Sequence, residues 1–521
     1  MTTRDIALKL RAWDAGRPLT RYSTLHHALV PADQTMLVAF VRMAGESRPW
    51  GIAWGTADAE PTMQTVPDGR VRDDVAVLCA AFAEDLLAHM RVHNWTYDPV
   101  DERAEPADLR QLWLPNSAHV AMLHQLDYAY SQTKHGGSNL DVLRSLGRLC
   151  GWLFRDSTRT GHQHLVDASQ ALRDAFVFPA QNARSAHLGY LLAWLTADGS
   201  RADHIEAATA AEGLTVSPTL DPTVERDTLS KPVEAWNLSR RDGHDNAPAA
   251  GVVDATLRVE LERRWDLTRA AYELLSNDDR KVNAGVPALV KEAHQEFWFS
   301  HQRVELRLAD PTQGKAYVAH PETDFHGSSA ASRYLQNEAA DEAFFNHLVH
   351  DDTELLDDAL EAGDAIRGEV VQVRDEGVGR TTKPFWVVRV DPTAPNRLRE
   401  NGRLVPYGSA GHEATIRSID ATDDGLDVTI EWTKLKTRAL TVRSAAKPAD
   451  PSWQGTIADF VSSDAADLTK RRSQRVWKAK DGAGAWLTHG RQPAPTTIET
   501  DDGVVEQLID DTQQIENGAL A

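Results

Sequence analysis

Short apolar runs broken by turn residues mark the first elements of the chain. "TMLVAFVRM" (35–43), "WGIAWGT" (50–56) and "TMQTV" (62–66) read as strands, separated by "AGESRP" and "ADAEP". The spacing then becomes helical. From Asp73 to about Met90, Val77, Leu78, Ala81, Phe82, Leu86 and Leu87 share one face. The same spacing recurs at 140–154 through Leu140, Leu143, Leu146, Leu149, Cys150 and Leu153, and at 254–276 through Leu257, Leu261, Trp265, Leu267, Ala271 and Leu274. Between them, 214–232 and 240–251 concentrate Pro, Asp, Gly and Asn, which predicts surface connections or a subdomain boundary. Strand character returns in "AIRGEVVQVRDEG" (365–377), "KPFWVVRVD" (383–391), "RLVPYGSAGHEATIRSIDATDDG" (403–425) and "LDVTIEWTKL" (426–435). Strands repeating about every ten residues between Gly-rich turns predict a small barrel, preceded by a helical segment at 343–363. At 499–521, Val504, Val505, Leu508, Ile509 and Ile515 fall near helical spacing before Asn517-Gly518, predicting an amphipathic helix. Ala519, Leu520 and Ala521 then read as the start of a strand.

The fold class expected is an α+β multidomain protein. It comprises a mixed α/β segment (1–130), a mainly helical segment (131–310), a loop with the pre-barrel helix (311–363), the barrel (364–445), a basic linker (446–498) and the terminal segment (499–521). A length of 521 residues suits roughly three or four domains. The two cysteines, Cys79 and Cys150, sit in apolar helix-like runs and offer neither a disulfide framework nor a Cys-based zinc site. No run of about eighteen apolar residues occurs, and "MTTRDIALKLRAW" has no apolar signal core. A cytoplasmic protein without a membrane partner is therefore expected. The formal net charge of −21 argues against a wholly basic nucleic-acid coat, while leaving room for local basic patches.

The ending "VVEQLIDDTQQIENGALA" (504–521) resembles the approach to the P-loop in superfamily 1B helicases, the group of the RNA-surveillance and Okazaki-fragment-processing enzymes. There a helix and a short Gly turn lead into the strand that delivers the phosphate-binding loop. The domain order is similar to that of bacterial members, in which a ribonuclease-H-like domain and a small stalked barrel precede the motor. The resemblance implies a pre-motor region, with 499–521 as the beginning of a motor domain. It also implies single-stranded DNA or RNA as partner, a helicase motor further along or on a separate subunit, and a role in DNA or RNA processing or phage defence. ATP and Mg2+ are expected only with that motor. "GVGRTTK" (377–383) lacks the G-x-x-x-x-G-K-[ST] spacing, and neither G-x-S-x-G nor H-E-x-x-H occurs. The chain alone is expected to carry no cofactor and to hydrolyse no ATP. Ribonuclease-H-like nucleases place a carboxylate pair on their first strand to hold divalent metal. Here that strand offers Arg42, Glu46 lies past its end, and Asp73 and Asp74 are placed to cap the next helix. A catalytically silent domain is expected. The alternatives are a metal-dependent nuclease and a non-enzymatic scaffold of a multigene DNA-processing system.

Candidate contacts to nucleic acid follow from basic residues beside aromatics. At the barrel tip these are Arg380 and Lys383 with Phe385 or Trp386, one of which alternation sends into the barrel. Beyond it stand Lys434 and Lys436, then Lys470, Arg471, Arg472, Arg475 and Lys478 around Trp477. The segment 151–164, with Arg155, Arg159, His162 and His164 beside Trp152 and Phe154, reads first as a helix end with its usual basic residues. A candidate metal set is His320, Glu322, Asp324 and His326, whose alternation would align four N and O donors on an extended backbone. His347 and His350 join such a site only through tertiary folding.

Overall fold

The computed structural model describes residues 3–91, 95–98, 103–106, 109–157, 162–179, 186–244, 246–283, 286, 348–376, 383–408, 412–434, 448–462, 496–500 and 503–507. They fall into two units, Met1–Gly314 with Asp351–Asp358, and Lys315–His350 with Ala359–Ala521. The first begins α1 (Thr3–Ala15), β1 (Leu19–Thr20), β2 (Thr35–Val41), β3 (Gly51–Thr56), β4 (Thr62–Thr65) and α2 (Arg72–Met90). It continues with β5 (Trp95–Asp98), β6 (Arg103–Pro106), β7 (Gln111–Leu114), α3 (Ser117–Tyr130), α4 (Leu140–Asp156), β8 (Leu165–Asp167), α5 (Ala168–Ala175) and β9 (Phe176–Val177). It closes with α6 (Leu188–Thr196), α7 (Arg201–Glu212), α8 (Ser230–Arg241) and α9 (Ala247–Ser276). Helix α10 (Thr353–Ala362) leads into the second unit, which holds β10 (Ala365–Glu376), β11 (Lys383–Val390), β12 (Arg403–Pro406), β13 (Glu413–Thr422), β14 (Gly425–Lys434), β15 (Ile457–Ser462), β16 (Thr496–Thr500) and β17 (Gly503–Gln507).

In the first unit five strands form one sheet in the order β4-β3-β2-β7-β8. Strands β2, β3 and β4 run antiparallel, whereas β7 and β8 join in parallel. All seven residues of β2 are buried. Successive side chains point to opposite faces, so Met36, Val38 and Phe40 enter a core with Phe82 of α2, Leu123 of α3 and Leu149 of α4. Leu37, Ala39 and Val41 enter the opposite core with Leu191 of α6 and Leu257, Leu261 and Trp265 of α9. Helices therefore cover both faces, and each large side chain so buried contributes roughly 1.5–3 kcal/mol. Helix α2 is more apolar around its circumference than a surface helix: Val77, expected in its buried face, is 61% exposed, while Val75, Cys79 and Met90 are buried. Helices α3 and α4 approach closely at Gly147 and Gly151, where an added Cβ would lie 2.2 Å from Ser131 N and 2.4 Å from the Asp127 carboxyl group. The boundary expected at 130 falls between these two helices of one core, and β8 beyond it completes the sheet.

In the second unit six antiparallel strands close into a barrel, β10-β11-β14-β13-β12-β15. Its interior follows the expected alternation: Trp386 points inward and Phe385 does not. The Trp386 and Trp432 rings pack edge to face with centroids 5.0 Å apart, and Trp386 Nε1 donates to the Pro448 carbonyl at 2.6 Å. Two expectations are corrected. The closing strand β15 lies within the segment expected to be linker: "IADFVS" pairs with β10 and β12 and sends Phe460 into the barrel core. The amphipathic helix expected at 499–521 is replaced at 503–507 by strand β17, paired with β16 through a register of Thr500 opposite Gly503. Thr496, Thr497, Ile498, Val504 and Val505 favour strand. Residues 508–521 lie outside the described residues.

The expected stalk helix is also interrupted. Helical residues at 348–349 end in a turn, and α10 starts anew at Thr353 because Asp352 caps it, its Oδ1 accepting from Glu354 N at 3.0 Å and Leu355 N at 3.3 Å. Asp352 Oδ2 accepts from Thr24 N at 2.9 Å and Thr24 Oγ1 at 2.7 Å. Asn283 Nδ2 donates to the same Thr24 hydroxyl at 3.1 Å, and its backbone N donates to the Leu25 carbonyl at 2.8 Å. His26 Nε2 stands 3.8 Å from the carboxylate. Burial pushes the Asp352 carboxyl up, but His26, the two Thr24 donors and the Glu354 amide outweigh it and hold the carboxyl well below its ordinary range. The unfolded chain, with an ordinary value near about 3.9, takes up this proton first as pH falls. Its stabilisation is thus complete at neutral pH and is lost on acidification through the folded value. Asp352→Asn is expected to cost about 2–3 kcal/mol at pH 7 and to show a shallower loss of stability than the parent below about pH 4, measured by urea unfolding across that range.

Candidate functional site

Just beyond the C-terminal ends of β2 and β7 stand Arg42 and Asn116. Asn116 caps α3, its Oδ1 accepting from Ala118 N at 3.1 Å and His119 N at 3.3 Å. The cap sets His119 beside β2, where Nδ1 accepts from Phe40 N at 3.2 Å and Nε2 donates to the Val216 carbonyl at 2.9 Å. These two bonds require the neutral ring with its proton on Nε2. Burial first, then the Arg264 charge, push its pKa down to about 3.

Segment 214–218 lies across this end of the sheet and is held carbonyl by carbonyl. Leu214 O accepts from His187 Nε2 at 2.9 Å, Thr215 O from Arg263 at 3.0 Å, Val216 O from His119, Ser217 O from Arg264 Nε at 2.8 Å, and Pro218 O from Arg42 N at 2.7 Å. Leu220 N returns a bond to Arg42 O at 3.0 Å. Arg264, fully buried, also donates to Glu260 Oε2 at 2.7 Å, and Arg263 pairs with the same carboxylate. Burial raises the Glu260 carboxyl, but the two guanidiniums win and hold it below its ordinary range. The side chains at the sheet end are therefore committed to backbone and to each other.

The acids considered from sequence are placed differently from a metal pair. Glu46 accepts from Trp50 Nε1 at 2.7 Å and faces Arg70 at 3.9 Å. Asp73 and Asp74 occupy the first turn of α2, where negative charge suits the helix dipole. They do not cap it: the cap is Val71, without a side-chain bond, and Asp73 lies 2.8 Å from His135 Nε2. At the end of β8, Asp167 caps α5 through Gln170 N at 3.0 Å and Ser169 Oγ at 2.7 Å, and burial raises its carboxyl. Among the described residues no group of three or more His, Cys, Asp and Glu side chains is placed to hold a metal ion.

Of the basic residues singled out from sequence, Lys383 is exposed on the barrel's outer face and pairs with Glu431, which Arg417 also grips. Burial raises the Glu431 carboxyl, and the two cations pull it below the ordinary range. Arg374 lies over the half-buried Phe385 ring at 6.0 Å. Lys434 ends β14 opposite Glu413. Arg380, Lys436, Lys470, Arg471, Arg472, Arg475, Trp477 and Lys478 lie outside the described residues, as do His320, Glu322, Asp324, His326 and His347. His350 stacks on Tyr407 at 6.4 Å. In 151–164 the structural reading holds for the described residues: Trp152 and His164 are buried, His164 Nδ1 meets the Arg110 carbonyl at 3.0 Å, and Arg155 lies 3.4 Å from Asp127. Arg159 is outside them.

A cleft that the sequence did not signal opens in the first unit, with a cavity volume of about 200 Å3. The 47–49 turn contributes Arg48, the start of α2 Arg72, the C-terminal half of α3 Gln125, Tyr128 and Tyr130, and the loop after it His135. Tyr130 forms the buried floor, bonded to Cys79. Burial pushes its phenol far up and Cys79 adds to this, while Arg48 and Arg72 act oppositely. In sequence Arg48 is one charge in a turn and Arg72 one of several at a helix start, so only folding reveals their convergence.

The His119 bonds give a pH signature. Below the ordinary histidine value of about 6.5 the unfolded chain binds a proton that the folded chain refuses, so stability is full above that pH and falls beneath it. Urea unfolding of the parent is expected to lose up to about 1.4 kcal/mol per pH unit between pH 6 and 4 on this account. In His119→Gln, whose amide can keep one acceptor and one donor, that part of the slope should vanish. Equal slopes in both proteins would contradict the assignment.

The site stands on its own geometry, for no family model, characterised protein or solved structure matches the chain.

Proposed function

We propose that the chain is a nucleic-acid-binding region that joins a hydrolytically silent ribonuclease-H-like unit to a small barrel. It works on single-stranded DNA or RNA with a superfamily 1 helicase motor carried downstream or on a separate subunit. The observation that carries the reading is the strand order β4-β3-β2-β7-β8, three antiparallel strands followed by two parallel ones, with Arg42 at the end of the strand that should bear acids. This is the order of a ribonuclease-H-like sheet. The bonded 214–218 segment at the same end supports a scaffolding role over hydrolysis. The barrel following in the chain supports the likeness to pre-motor regions, and ATP and Mg2+ belong to the motor. The scaffold alternative draws on α1, whose Ile6, Leu10 and Trp13 are about half exposed at helical spacing.

Fluorescence anisotropy with labelled single strands tests the reading. The full chain is expected to bind without ATP, to turn over no ATP, and to weaken linearly in log affinity against log salt. Replacing Arg471, Arg472 and Arg475 together by Ala should flatten that slope by about 0.7 per lost phosphate contact. Trp477→Ala should cost roughly 1–3 kcal/mol with the slope unchanged. A chain that binds neither DNA nor RNA strands contradicts the proposal.

A further inference from the structure

Arg48 and Arg72 have no ion-pair or hydrogen-bond partner among the described residues, although both line the same cleft. Most other guanidiniums around this sheet are spoken for: Arg70 by Asp68, Arg155 by Asp127, Arg263 and Arg264 by Glu260. Asp73, in the same first turn as Arg72, is engaged by His135. Beside the two guanidiniums, on α3, Tyr128 is 87% exposed. A lone exposed tyrosine is ordinary on a protein surface. Here it shares a concave rim with two unneutralised cations, and Gln125 adds an amide able to donate and accept.

We propose that this cleft is a binding site for a single-stranded nucleic acid, with Arg48 and Arg72 holding backbone phosphates and Tyr128 stacking against a base. It rests on the nucleic-acid reading above and adds a second contact point, in the first unit and independent of the basic passage at 470–478. The fork of an arginine suits phosphate oxygens. A phenol ring stacks on any base without choosing its sequence, so the site tracks a strand without reading it. Arg72 and Tyr128 are exposed and Arg48 half-buried, and among the described residues neither guanidinium holds a partner, so replacing them orphans no described buried group.

The test uses the full chain and fluorescein-labelled oligo-dT and oligo-U in anisotropy titrations at several salt concentrations. Arg48→Ala with Arg72→Ala should reduce the salt slope by about 1.4, two contacts at about 0.7 each. The corresponding double Lys variant should keep the parent slope. Tyr128→Ala should weaken binding roughly 5- to 150-fold with the slope unaltered. Thermal melting identical to the parent's establishes that the variants fold. If the parent binds and the double Ala variant keeps both its affinity and its slope, the cleft is overturned while the broader reading stands. Unchanged affinity in Tyr128→Ala overturns the stacking role. If the parent binds neither strand, both proposals fall.

Discussion

Five consecutive carbonyl oxygens, from Leu214 to Pro218, each find a different donor, and the first unit's organisation depends on that run. The donors come from the residue after β2, from α3, from α9 and from the residue before α6, so one strip of backbone gathers four parts of the chain. Bonds from charged donors such as Arg263 and Arg264 are each worth about 1.5–3 kcal/mol, and removing one partner leaves a buried carbonyl unsatisfied. The strip can lie there because Arg42, directly after β2, pairs with it through its backbone N and O at Pro218 and Leu220. All seven side chains of β2 are buried between the two helical layers and none is ionisable, which suits a site where an uncompensated charge would cost several kcal/mol.

Much of the fold was legible because elementary patterns were strong. Strands β2, β3 and β4 stood out between turn residues, and α2, α4 and much of α9 through helical spacing. The barrel announced itself by evenly spaced strands, and alternation required one of Phe385 and Trp386 to face inward, while only the folded register selects Trp386. Strands β7 and β8 were hidden by their brevity: "QLWL" and "LVD" are buried too evenly to show a period. "GVVEQ" fits helical and strand spacing alike, and its pairing with β16 decides for the strand. Strand β15 was masked by its place in a passage read as linker.

The candidate site was less legible because its parts are joined only by tertiary structure. The strap's donors are scattered from Arg42 to Arg264, and no local motif links His119 to Val216. Arg48, Arg72 and Tyr128 come from a turn and two helices. Lys383 was visible as a basic residue, but its ion pair with Glu431 depends on cross-strand register, which puts Phe385 opposite Glu431. The absence of acid from the first strand could be read directly from Arg42, whereas the backbone strip occupying that end could not.

The proposal that the sheet end serves binding and scaffolding in place of hydrolysis can be put to a direct test. The most direct measurement incubates the full chain with end-labelled single-stranded DNA or RNA in Mg2+ or Mn2+ and resolves each sample on native and denaturing gels in parallel. The account predicts a retarded strand on the native gel that remains intact on the denaturing one. Metal-dependent cleavage that disappears when Glu46 or Asp167 is replaced by its amide would contradict it.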